Sequence, residues 1–158
     1  MTPYRNGTGQ QINTTLAHQL ALYVVVYSPI QMAADLYEHY EGQPAFQFIQ
    51  DVGVDWEQSR VLAGEIGKYL VIARQERETL NWFIGGVTNE QGKRVSIALN
   101  FLEEGTTYDG MIYKDGESAH WNDNPTNIDI ETTPFKKGEA VEIEMAPGGG
   151  FAISLLKK

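Results

Sequence analysis

Asp35, Glu38 and Glu41 fall within seven residues of one another, and carboxyl groups gathered in this way are the raw material of acid–base chemistry. Splitting a glycosidic bond, for example, takes two of them, one on each side of the bond and roughly 5 to 9.5 Å apart. The plainer reading is that Asp35 ends an element by accepting from nearby N–H groups while the glutamates face water. That reading is preferred, and no catalytic residue is assigned.

A second oxygen-rich stretch, Asp115-Gly116-Glu117-Ser118-Ala119-His120-Trp121-Asn122-Asp123-Asn124, has the donors a calcium ion takes but not the spacing of a calcium loop. It reads as a series of turns, and no metal ligand is assigned. Trp121 in this polar loop is the aromatic face most open to stacking on a sugar ring, whereas Trp82 and Tyr113 alternate into a core. His18 lies in an apolar run and reads as a packed, hydrogen-bonded residue; His39 and His120 have no partner motif. Gly148-Gly149-Gly150 lacks the Lys-Ser/Thr of a phosphate cradle and precedes a strand, so it reads as a hairpin turn. The candidate binding residues are therefore Asp35 and Trp121.

Composition narrows the partners. The chain has 158 residues, 21 acidic and 12 basic, with a formal charge of −9. Lysines and arginines adjoin only in the pairs Lys93-Arg94, Lys136-Lys137 and Lys157-Lys158, with no longer run, which argues against nucleic acid and anionic membrane. There is no cysteine, so disulfides and thiol chemistry are excluded. The first residues, Met-Thr-Pro-Tyr-Arg-Asn-Gly, carry no apolar signal segment.

The elements that must position these residues fall into two parts, 1–53 and 54–158. In the first, Asn13, Thr14 and Thr15 offer caps for a helix over Thr14 to Tyr27 that is apolar round most of its surface. Ser28-Pro29 ends it, and Ile30 to Ala34 is a short apolar run whose periodicity fits a buried strand or a helical turn equally. Pro44 opens a further helix to about Asp51. In the second part a period of two takes over. Ser59–Glu65, Tyr69–Gln75, Trp82–Val87, Arg94–Leu99, Tyr108–Lys114, Asn127–Thr132, Ala140–Met145 and Gly150–Leu155 read as strands separated by Gly, Asn and Asp turns. The fold class expected is mainly β, an antiparallel β-sandwich preceded by a helical segment.

The order of several short blocks resembles the C-terminal end of glycoside hydrolase family 97, the α-glucosidases and α-galactosidases. They are His18-Gln19-Leu20-Ala21-Leu22-Tyr23-Val24-Val25, Ser28-Pro29-Ile30-Gln31-Met32-Ala33-Ala34-Asp35, Phe46-Gln47-Phe48-Ile49 with Val54-Asp55-Trp56-Glu57, Gly64-Glu65-Ile66-Gly67, Ile72-Ala73-Arg74, Trp82-Phe83-Ile84-Gly85-Gly86 and Met145-Ala146-Pro147-Gly148-Gly149-Gly150-Phe151-Ala152. Tyr27 and Glu57-Gln58-Ser59 depart from the commoner pattern.

The resemblance implies that Thr14 to Tyr27 is a late helix of a (β/α)8 barrel, Ile30 to Ala34 its last strand and Pro44 to Asp51 its last helix. Asp35 would then stand at the barrel's C-terminal face. The family's catalytic carboxylates and calcium ligands match no residue of this chain, and its members are commonly periplasmic or secreted. The function expected is non-catalytic support for the barrel, with a stand-alone carbohydrate-binding module as the alternative and an oligosaccharide as its ligand. The apolar helix, needing cover on two sides, is expected to assemble a homo-oligomer through residues 14–51.

Overall fold

In the computed structural model, residues 12–33 and 40–158 are described. Among them two helices, α1 (Leu16–Val25) and α2 (Phe46–Asp51), precede β1 (Trp56–Glu65), β2 (Tyr69–Glu76), β3 (Trp82–Thr88), β4 (Lys93–Ala98), β5 (Tyr108–Asp115), β6 (Ile128–Phe135), β7 (Ala140–Met145) and β8 (Gly150–Lys157). The strands expected from alternation are all present and differ only at their ends.

They form a mainly β, antiparallel sandwich of unequal halves. One sheet has six strands in the order β1-β2-β3-β8-β5-β6, and the other is the ribbon β4-β7. In the ribbon, buried and exposed residues alternate, with Val95, Ile97, Val141, Ile143 and Met145 turned inward. They meet Trp82, Ile84, Ile112, Phe151, Ile153 and Leu155 of the large sheet in one apolar core. Strands β3 and β8 do not alternate in this way. They are buried along most of their length, because the opposite face of the large sheet is covered too.

The second cover is helical. Leu16, Leu20 and Val24 of α1 and Phe48 of α2 pack with Phe83, Tyr113, Trp56 and Ala152. Phe48 meets Phe83 and Tyr113 edge-on, with ring centroids 6.2 and 5.4 Å apart. Residues on both sides of position 53 thus share a core. Burial there also pushes the Tyr113 hydroxyl up to about 12, with the charge of Asp51 adding to the effect.

Several sequence expectations change. Helix α1 is shorter at both ends. Thr15 caps it by accepting the His18 amide at 3.2 Å, and Val26 is already extended (φ −94°, ψ 111°) ahead of Ser28-Pro29. Only Leu16, Ala17, Leu20, Ala21 and Val24 are buried in it, so the helix folds back on its own sheet and covers one side.

Pro44 stands in the turn before α2 and not in its first helical position. Residues 30–33 form neither strand nor helix, and Ile30 and Met32 are 74% and 80% exposed. A strand exists through its ladder, and no described strand pairs with these residues. Ala34 and Asp35 lie outside the described residues.

Candidate functional site

Of the polar residues singled out from the sequence, His18, Asp115 and the loop that follows it meet where the N-terminus of α1 approaches the β7–β8 turn. Thr15 donates its backbone N–H to the Gly148 carbonyl at 3.1 Å, and the Leu16 amide donates to Pro125 at 2.7 Å. A helix start leaves its first N–H groups without intrahelical partners, and these two loops supply them.

Asp115, at the end of β5, is the centre of the junction. It is buried, and its Oδ2 accepts from the backbone amides of Ala146 at 2.9 Å and Gly150 at 2.8 Å, thereby closing the β7–β8 turn. Its Oδ1 is buried without a hydrogen bond of good geometry. Burial raises the carboxyl pKa above its ordinary value, against the opposing pull of the Thr15 hydroxyl and the two amides. From the sequence alone Asp115 reads as one oxygen of a turn-rich loop. Its position as the last residue of a strand, facing the helix layer, depends on register.

His18 acts from the other side. Its Nδ1 lies 2.9 Å from the Gly149 carbonyl, which can only accept, so Nδ1 carries the proton. Burial lowers its pKa, while the Gly149 and Gly148 carbonyls work the other way. The ring therefore stays neutral at pH 7 and serves as a tie, as its apolar setting suggested.

The three glycines have separate reasons. Gly148 has φ +64°, and a Cβ there would stand 2.8 Å from that of Trp121. A Cβ on Gly149 would meet Asp115 Oδ2 at 1.9 Å, and one on Gly150 would meet the Gly86 carbonyl at 2.5 Å and His18 Cα at 2.8 Å. The turn is shaped for close approach to the protein itself.

Trp121 is half-buried. Its amide donates to Pro147 at 3.3 Å, and its indole stacks on His120 with centroids 5.7 Å apart and planes at 29°. The rest of its loop is engaged internally. Asn124 and Asn127 donate to Ser118 Oγ at 3.0 and 2.7 Å, and the His120 and Asn124 backbones exchange hydrogen bonds. Among the described residues, no group of three His, Asp or Glu side chains could hold a metal ion. Beside the loop runs a polar groove lined by Lys93, Arg94, Asp115, Glu117 and Glu144, in which Arg94 pairs with Glu144. Asp35 and Glu38 lie outside the described residues; Glu41 is exposed.

This junction is a clasp between a sandwich and a preceding helix. Comparison gives its class as the C-terminal part of a glycoside hydrolase. Residues 55–156 match the family described as "Glycosyl-hydrolase 97 C-terminal, oligomerisation", and the chain belongs to that family.

It is 34% identical over 142 residues to a retaining α-galactosidase of Bacteroides thetaiotaomicron, covering 89% of this chain and 21% of that protein. It is 28% identical over 137 residues to a probable retaining α-galactosidase of Streptomyces bingchenggensis, covering 86% and 20%. A family 97 enzyme of Pseudoalteromonas sp. strain K8, solved with panose and with acarbose, superposes with a TM-score of 0.91 at 46% identity, over 94% of this chain and 23% of that one. The chain thus spans about a fifth of the length of these relatives and corresponds to a C-terminal part of the family's proteins.

Proposed function

We propose that this chain is the supporting C-terminal portion of a family 97 α-glycosidase, bracing the catalytic barrel and hydrolysing no glycoside by itself. The observation that carries this reading is the clasp. Two of the polar groups weighed for chemistry, Asp115 and His18, are turned inward, where His18 ties α1 to the β7–β8 turn that Asp115 closes. The exposed apolar run Val26, Tyr27, Ile30 and Met32 leaves the same helix. We assign that run to contact with the barrel of a longer enzyme.

Calcium, implied for the longer enzyme by the family resemblance, finds no ligand set among the described residues. Glucoside or galactoside preference would reside in the barrel, as would any pocket role of Asp35.

The family description also supports assembly into a homo-oligomer. The inner stripe of α1, through which a contact over residues 14–51 is expected, is spent on its own sheet, and its exposed continuation is assigned above to the barrel, so the oligomer contact falls to the matched span, residues 55–156.

The test is turnover of nitrophenyl α-glucoside and α-galactoside by the pure chain. None is expected, and turnover abolished by Asp35→Asn would overturn the reading. The alternative, a sugar-binding module, rests on Trp121, whose ring stacks on His120 at the rim of the β7–β8 turn. Titration of α-linked oligosaccharides against tryptophan fluorescence separates the two, a support giving no saturable change.

A further inference from the structure

At the far end of the β1–β2 hairpin from Tyr27, an isoleucine stands where turn chemistry asks for a polar residue. Ile66, between Glu65 and Gly67 (φ +77°), is fully exposed, so nothing in the fold of this chain needs its side chain. Its backbone is nevertheless held firmly. The Asn89 side chain donates to the Gly67 carbonyl at 3.1 Å, and the Asn89 amide donates to the Lys68 carbonyl at 2.8 Å.

Beside it lies an apolar groove of about 540 Å³, on the helix-side face of the large sheet but outboard of α1. Val61, Leu70 and Val87 line it, and Gly64, paired with Leu70, leaves room in it. Val61 is 69% exposed. Glu65 and Lys68 flank the tip and pair at 2.6 Å, both about half-exposed.

We propose that this tip is the oligomer contact, with Ile66 of one copy seated in the Val61–Leu70–Val87 groove of a second copy and the reverse contact made at the same time. The inference rests on the oligomer reading above and gives it a place. A two-fold contact requires one patch to carry both knob and hole, as this one does. The flanking charges are of opposite sign, so a two-fold axis can set Glu65 of one copy against Lys68 of the other. The matched span, residues 55–156, contains this patch and excludes Val26 to Met32. A knob held in place before binding loses little freedom on docking.

The experiment is sedimentation of the full chain across a concentration series, with circular dichroism of each variant. Ile66→Asp and Val61→Asp change exposed residues and should leave the fold intact while weakening self-association about 30-fold or more, as at an interface hot spot. Val26→Asp with Tyr27→Asp should leave it unchanged. Because the chain has no cysteine, Ile66→Cys supplies a single thiol whose maleimide labelling should slow as the chain self-associates. An oligomer indifferent to Ile66→Asp and Val61→Asp, or disrupted only by the Val26 and Tyr27 changes, would overturn this contact alone. A wild-type chain that stays monomeric throughout the series would overturn the oligomer reading with it.

Discussion

Gly85 lies directly beneath Ala21: a Cβ on this glycine of β3 would stand 2.7 Å from the Ala21 carbonyl oxygen and 2.9 Å from Val24 Cβ. Helix α1 can rest on the sheet because β3 has no side chain at that point. Gly85→Ala must therefore lift the helix or bend the strand. An overpacking cost of about 1–3 kcal/mol is expected, seen as a fall in Tm of about 2–4 °C for each kcal/mol. Gly53 is the comparison. There the nearest obstacle is the end of the Glu76 side chain, which can swing away, so Gly53→Ala should stay within about 0.5 kcal/mol of the parent.

Asp115→Asn should stabilise the chain at neutral pH. The amide oxygen can keep the Ala146 and Gly150 hydrogen bonds, its NH2 can turn toward the Thr15 hydroxyl, and no charge remains to be buried. A buried oxygen without a partner costs about 1–3 kcal/mol, which bounds the gain. The sign with pH follows from a folded pKa raised above the ordinary 3.8. Below 3.8 both states are protonated and the charge penalty is absent; it grows as pH rises toward the folded value and is constant above it. The advantage of Asp115→Asn over the parent in thermal melts should thus be full at pH 7 and shrink as pH falls through that window. Asp115→Ala, which loses both accepted bonds, should be less stable than the parent at every pH.

Removing residues 1–51 tests whether 54–158 folds alone. The sequence suggests that it does, because its strands find partners within that span. The packing argues otherwise: Leu16, Leu20, Val24 and Phe48 cover Phe83, Tyr113 and Ala152. Burying one large apolar side chain is worth ~1.5–3 kcal/mol, so four approach the whole stability of an ordinary domain. A chain beginning at Val52 should melt at least 10 °C lower than the full chain or aggregate. Equal melting temperatures would return the boundary to residue 53.

The strands and their turns were legible in the sequence because their signal is local. In the ribbon, Val95 and Ile97 alternate with exposed Arg94, Ser96 and Ala98, and such a period of two needs no knowledge of what lies opposite. The family was legible for a similar reason, since short blocks such as Trp82 to Gly86 and Met145 to Ala152 survive in order. Sequence also identified Thr15 among the candidate caps of α1.

What only the tertiary structure decided depends on neighbours far along the chain. Period analysis found α1 apolar nearly all round but could not say that its stripe would meet Phe83 and Ala152, or that Gly85 would make room for it. It saw Asp115 as one acid in a loop, because its partners at Ala146 and Gly150 lie more than thirty residues away. For Ile30 to Met32 the sequence supplied an apolar run suited to a strand, and residues 30–33 remain irregular because no described strand offers a ladder. Apolar residues state that they need cover; the partner that provides it is fixed by the folded chain and by whatever packs against it.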